Sequence, residues 1–333
     1  RIAGMSAEGG TRAILAALAA NLGIAITKFV AFLLSGASSM LAESIHSVAD
    51  TANQLLLLVG KRRARRDADV EHPFGYGRSR YVAAFVVAII LFSAGGVFAL
   101  YEGYQKVRHL QEHPDQPAID PFWWWLPLVV LVIAIGLESF SLATAVRESR
   151  PHKGGRSWVA FVRRSKAPEL PVVLLEDVAA LIGLLLALLG VGLTVLTGDG
   201  IFDAIGTFAI GALLVLVAIV LGVEMGSLLV GEGATEQDLA AIRAAVEAHP
   251  AVDRIIHLKT LYVGPEELMV GAKLAFPADR MLAEVAGSID EIERAVREAV
   301  PAARIIYLEP DVWRPAAADP APPTDTIVIR SAD

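Results

Sequence analysis

Residues 38–60 read "SSMLAESIHSVADTANQLLLLVG". A helix of this length crosses a hydrocarbon core of about 30 Å at about 1.5 Å per residue. Its middle nevertheless carries Glu43, His46, Asp50, Asn53 and Gln54. A charged group near the bilayer centre costs roughly 2–3 kcal/mol or more, so residues of this type in a span face a water-filled cavity or a partner. The spacing reconciles the two features. Glu43, His46, Asp50 and Asn53 are separated by three, four and three positions and share one helical face. Leu, Ile, Val and Ala occupy the other faces. The stretch reads as a membrane helix with a single polar stripe.

Five further apolar stretches of similar length surround it, at 12–34, 82–105, 122–146, 170–195 and 203–230. The chain of 333 residues is 55% hydrophobic, an average that a soluble protein could bury, so the distribution decides the class. Six spans predict an all-α transmembrane domain over 12–230 set in a lipid bilayer, preceded by a short cytoplasmic segment, 1–11. The chain has no cysteine, which excludes disulfides and thiolate metal sites. A tight metal site must then use His, Asp, Glu or neutral oxygen ligands. The net charge of −7 says little about partners, and nothing points to nucleic acid.

Basic residues are sorted between connections. "KRRARRDADVEHPFGYGRSR" (61–80) and "RESRPHKGGRSWVAFVRRSKAPE" (147–169) carry seven Lys or Arg each. "SGASS" (35–39) has none, "KVRHLQEHPDQPAID" (106–120) is mixed and "TGDGIFD" (197–203) is acidic. The positive-inside rule places both basic loops and both termini in the cytoplasm, and an even number of spans agrees. No signal or organelle-targeting segment is evident in the sequence as given, so a bacterial inner membrane is expected.

From Gly231 the pattern changes. "ATEQDLAAIRAAVEAHP" reads as an amphipathic helix with acidic residues in its first turn, and "VDRIIHLKTLYVG" and "ELMVGAKLAF" as strands joined at Gly264-Pro265. A second helix, "MLAEVAGSIDEIERAVREAV", and a final strand, "ARIIYLEPDVW", complete an αββαβ order. This predicts a small α+β, ferredoxin-like cytoplasmic domain over 231–313. The Pro- and Ala-rich remainder, 314–333, is expected to be disordered.

More acids lie inside the apolar stretches. Glu138 falls in "VIAIGLESFSLATAV", and Glu176 and Asp177 in "PELPVVLLEDVAALIGLLLALLG". Adjacent residues on a helix point about 100° apart, so at most one of Glu176 and Asp177 squarely shares a site with the stripe. The other needs its own partner, Lys28 or a water path, unless Lys28 snorkels to the outer interface. His46 and Asp50, one turn apart, suit a divalent ion; a hydrogen-bonded pair that locks helices is the alternative. Gly183, Gly190 and Gly211 allow close helix packing.

"SSMLAESIHSVADTANQ" followed by "HPFGYGR", with "NLGIAITKFV" in the first span and "FDAIGTFAIGALLV" opening the sixth, resembles the cation diffusion facilitator family of metal transporters. The "LLEDVAALIG" segment and Glu138 resemble the branch with the animal mitochondrial zinc transporter. The resemblance covers residues 10 to 312. It implies a homodimer that exports a divalent metal, usually Zn²⁺, in exchange for protons through a site between the second and fifth spans. Carried over by motif, the ligands are His46, Asp50 and Asp177. The fourth position falls on Val173, which cannot bind metal, so Glu176, Glu138, Asn53, Glu43 or water must complete the shell or carry protons. An oxygen-rich shell also suits Mn²⁺. Asp69 and His72 match an accessory zinc site whose third position is Tyr76, a remnant better read as loop structure. Family metal positions in the cytoplasmic domain fall on Ile256, Lys273 and Tyr307, and His249 and His257 read as surface histidines. No HExxH stretch or phosphate-cradling loop suggests an enzyme. The remaining rival is a membrane scaffold that does not transport.

Overall fold

The computed structural model describes residues 21–113, 117–155 and 157–314. The expected N-terminal segment 1–11 and all but Arg314 of the expected disordered tail lie outside them. The chain divides into two compact units. One runs to Arg65 and resumes over Ser79–Gly226, and the other takes Arg66–Arg78 and everything from Ser227 onward.

The first unit is helical. It contains α1 (Asn21–Ser35), α2 (Ser38–Ala64), α3 (Ser79–Ile90), α4 (Phe98–Glu112), α5 (Trp125–Lys153), the short α6 (Trp158–Arg164) and α7 (Glu169–Thr197). Most of α8 (Ile201–Val230) belongs to it as well. α3 and α4 form one continuous rod of 34 residues, joined by a π-helical segment, Leu91–Val97. That segment contains Gly95 and Gly96, whose weak helix propensity tolerates a widened turn.

Among the described residues, four helices are long and apolar enough to cross a membrane: Ser79–Glu112, Trp125–Pro151, Glu169–Thr197 and Ile201–Val230. Two of the six expected spans are not among them, for different reasons. α1 is described only from Asn21 and so counts as a shorter apolar helix. α2 has 27 residues, ample length, but its polar stripe and the basic residues of its last turn dilute its apolar character. Large apolar side chains point outward along the bundle, with Leu33, Phe140 and Leu196 exposed by 63%, 76% and 83%. This is a membrane protein's surface rather than that of a soluble one.

Glycines set the tightest helix approaches. A Cβ on Gly190 of α7 would lie 2.9 Å from the carbonyl oxygen of Phe202 and 3.4 Å from the Cα of Gly206, both on α8. One on Gly211 of α8 would lie 2.8 Å from the backbone nitrogen of Leu100 on α4. The start of α2 is fixed by another helix. Its N-cap, Ala37, has no side-chain oxygen to offer. Asp203, in the first turn of α8 and fully buried, supplies both: Oδ2 accepts from the Ser38 amide at 2.8 Å and Oδ1 from the Ser39 hydroxyl at 2.6 Å. The Asp203 amide donates to Thr194 Oγ1 of α7 at 3.0 Å, so one residue ties three helices. Such borrowed capping satisfies amide groups that a helix start leaves open.

The second unit follows α9 (Glu236–Glu247), β1 (Arg254–Gly264), β2 (Glu267–Ala275), α10 (Leu282–Ala299) and β3 (Ala303–Asp311), the expected αββαβ order. The sheet order is β1-β2-β3, antiparallel between β1 and β2 and parallel between β2 and β3. The parallel pair needs a crossover, and α10 provides it. Alternate residues of β2, among them Leu268, Val270 and Leu274, point into a core with Ile242 and Val246 of α9 and Ile292 and Val296 of α10. Thr235 caps α9 by accepting from the Asp238 amide at 3.1 Å.

The α7–α8 contact generates a direct test. Replacing Gly190 with Val puts methyl groups where the Phe202 carbonyl and Gly206 lie. The expected cost is about 1–3 kcal/mol or more, as for other overpacked cores. Thermal unfolding of the purified protein in detergent should shift downward by several degrees, whereas Gly192→Val, at a position with no neighbour within 4 Å, should not.

Candidate functional site

The polar stripe of α2 faces other helices. Glu43, His46 and Asn53 are each no more than 1% exposed. Asp50 is partly buried. Each meets a different fate. Lys28 of α1, itself buried, donates to Glu43 Oε2 at 2.9 Å and to Ser47 Oγ at 2.9 Å. Lys28 therefore does not snorkel and does not partner an acid of α7; its charge answers Glu43 of α2. The second oxygen of Glu43 packs toward α7, 2.8 Å from where a Cβ on Gly183 would stand.

Further along, Asn53 Nδ2 donates to Glu176 Oε1 of α7 at 2.7 Å. The neighbouring Asp177 turns instead toward α5 and accepts from Ser141 Oγ at 3.1 Å. The two acids thus separate as their helical geometry demands, Glu176 hydrogen-bonded to α2 and Asp177 to α5. Between these anchors lies a cavity of about 90 Å³ lined by Lys28, Ser47, Asp50, Gln54, Glu138, Ser141, Val173, Glu176 and Asp177. Four carboxylates from three helices, α2, α5 and α7, face one space. Val173, the position that the family resemblance gives to a fourth ligand, lines the wall.

His46 sits beside this cavity, its Nδ1 3.7 Å from Asp50 Oδ1. Neither ring nitrogen has a hydrogen-bond partner, and neither has Asp50 Oδ1 or Asn53 Oδ1. Buried polar atoms are nearly always paired, so polar atoms without a protein partner are those that water or an ion would satisfy. Among the described residues no group of three or more His, Cys, Asp or Glu converges tightly enough to hold a metal ion. The acids ring the cavity rather than meeting at one point.

Sequence reasoning missed three members of this arrangement. Ser141 lies three residues after Glu138, a spacing that puts both on one face. Ser47 follows His46 directly, and its role as second acceptor for Lys28 leaves no sequence signal. Asp203 opens the sixth apolar stretch in "GIFDAIG", where an acid beside a helix start is a legible cue.

The two accessory sites are occupied by local structure. In the Arg66–Arg78 loop, Tyr76 donates its hydroxyl to Asp69 Oδ2 at 2.6 Å and the His72 amide donates to Oδ1 at 2.7 Å. The hydrogen bond from Tyr76 is the main cause holding the Asp69 carboxyl below its ordinary range. The His72 and Tyr76 rings stack at 4.3 Å. In the sheet unit, Lys273 binds Asp311 at 2.9 Å and Glu309 at 3.1 Å, and His249 meets Glu291 at 3.1 Å. His257 is opposite Lys273 in the β1–β2 ladder.

Apolar membrane-crossing helices that enclose several carboxylates, attached to a small mixed sheet unit, define a polytopic membrane protein with a polar intramembrane cavity. The family model "Cation efflux transmembrane domain" matches residues 14–230, and the chain belongs to the cation efflux family. It is similar to the "Proton-coupled zinc antiporter SLC30A9, mitochondrial" of Xenopus laevis, 30% identical over 249 residues, covering 75% of this chain and 44% of that protein. The human protein of the same name is 28% identical over 278 residues, covering 83% and 48%. "Cation-efflux pump FieF" of Pectobacterium atrosepticum is 26% identical over 298 residues, covering 89% and 91%. The chain thus spans about half the length of the antiporters it matches and nearly all of the bacterial pump.

The buried Lys28–Glu43 pair makes a sharp prediction. Lys28→Met leaves Glu43 buried without a counter-charge and should cost about 3–5 kcal/mol, whereas Lys28→Met with Glu43→Leu should recover most of that loss. Thermal unfolding of the two variants beside the wild type separates these outcomes.

Proposed function

We propose that the protein is a secondary active transporter that exchanges a divalent metal, zinc foremost, for protons and moves the metal out of the cytoplasm. The observation that carries this reading is the cavity between α2, α5 and α7: four carboxylates share it, and the one ammonium beside them is committed to Glu43. Net negative charge enclosed by membrane helices calls for a cation or for protons. Family membership and the antiporter names of two relatives support the same conclusion.

In this reading His46, Asp50 and Asp177 hold the metal, with Glu176, Glu138, Asn53 or water completing the shell in place of Val173. Glu43, fixed by Lys28, positions α2 rather than binding metal. A small approach of α2, α5 and α7 draws the ringed acids onto one ion. Ligands bind metal only when deprotonated, so metal and protons compete for the same atoms. Opened toward the cytoplasm, the site takes metal and releases protons. Opened to the far side, it takes protons and releases metal, as alternating access requires.

The frame for this cycle is six membrane spans with both termini cytoplasmic, a ferredoxin-like cytoplasmic domain and a homodimer, over the domain limits 12–230 and 231–313. A bacterial inner membrane suits a chain that spans 91% of a bacterial pump. The accessory positions Asp69 and His72 serve the loop turn. A second cargo has a specific observation behind it: a shell of carboxylates with a single imidazole is a harder ligand set than a two-histidine site and suits Mn²⁺.

Proteoliposomes with a pH-sensitive dye inside test the proposal. Wild-type protein should move Zn²⁺ inward and protons outward, and Asp50→Asn should reduce both by at least tenfold. Mn²⁺ movement without Zn²⁺ would change the cargo and keep the mechanism. Folded protein that moves neither ion would leave the scaffold reading.

A further inference from the structure

The mixed connection after the third apolar stretch was expected to begin near residue 106, but α4 continues as helix through Glu112. This puts His109 in the last turn of α4 and His113 at its C-cap. Their rings stack with centroids 4.7 Å apart and planes inclined by 30°. His113 is the C-cap, and its amide still donates to the His109 carbonyl at 2.9 Å, so the backbone fixes the spacing. Both side chains are exposed and line a cavity of about 770 Å³. It lies at the end of the bundle that holds the α1–α2 turn at Gly36, opposite the basic connections.

We propose that His109 and His113 form a second divalent-metal site, a two-imidazole chelate for a borderline transition ion such as Zn²⁺ or Cu²⁺, with water completing the shell. The proposal goes beyond the intramembrane site and does not depend on it. Two nitrogens bound to one tetrahedral zinc at about 2.0 Å each stand about 3.3 Å apart, a separation comparable to that of rings whose centroids already lie 4.7 Å apart. Imidazole is a preferred ligand for these ions, and no third protein ligand is required for measurable binding.

The cavity's charge favours a cation. Among the described residues its lining holds Glu102, Glu112 and Asp120 against Lys106 and Arg108, an excess of one negative charge. Both cations are already engaged. Arg108 donates to Glu112 at 2.7 Å, while Lys106 donates to the carbonyls of Gly36 and Ala118 at 2.8 and 2.9 Å and lies 3.9 Å from Asp203.

The test uses the full chain in lipid nanodiscs and the metal alone. Equilibrium dialysis with Zn²⁺ compares the wild type with His109→Ala/His113→Ala and with Asp50→Asn/Asp177→Asn. The histidine variant should bind one ion fewer per chain, and the same loss should appear when its changes are added to the aspartate variant. With Cu²⁺, electron paramagnetic resonance should show two imidazole nitrogens that vanish in the histidine variant. His109→Gln, which keeps size and helix, should weaken this ion at least tenfold with unchanged thermal unfolding. Equal ion counts with and without the histidines, or a copper spectrum unchanged in the variant, would overturn the site. Loss of an ion in the histidine variant with none lost in the aspartate variant would sustain this site and overturn the intramembrane one.

Discussion

A polar group buried among membrane helices must be answered by a group from another helix, and this demand arranges the bundle around α2. Lys28 of α1 answers Glu43, Glu176 of α7 accepts from Asn53, and Asp203 of α8 accepts from Ser38 and Ser39. Each link is directional and short, so each fixes the rotation of α2 as well as its neighbour. Apolar packing against lipid-like surroundings offers far less discrimination, because hydrocarbon side chains contact lipid and protein equally well.

Groups left unanswered after these links are made concentrate near one place. His46, Asp50 Oδ1 and Asn53 Oδ1 have unpaired atoms beside the cavity that Glu138, Glu176 and Asp177 share. The same helix thus carries two kinds of polar residue. Some are satisfied and hold the bundle together. Others have no protein partner and face the small cavity between α2, α5 and α7. Val173 of α7 lines the same space with an apolar side chain.

Other helix contacts rely on missing side chains. Gly190 and Gly206 let α7 and α8 touch through backbone, and Gly211 does the same for α8 and α4. The sheet unit is built by other means. Alternating apolar residues on β2 and amphipathic faces on α9 and α10 enclose a conventional core, with Lys273, Asp311 and Glu309 linking β2 to β3 at its rim.

The sequence by itself determined the class, the helical order and the αββαβ order of the sheet unit. Hydrophobic length and alternation are local properties, set by 1.5 Å per residue in a helix and a two-residue repeat in a strand. It also put His46, Asp50, Glu138, Glu176 and Asp177 on the short list, since an acid in an apolar stretch is visible without any partner. Tertiary structure decided the pairings. Lys28 chose Glu43, Asp177 chose Ser141, and Asp203 reached back more than 160 positions to cap α2. Helix packing also decided that α4 runs on to bring His109 and His113 together. Such choices depend on which faces meet across tens to hundreds of residues, and a linear pattern carries no record of that distance.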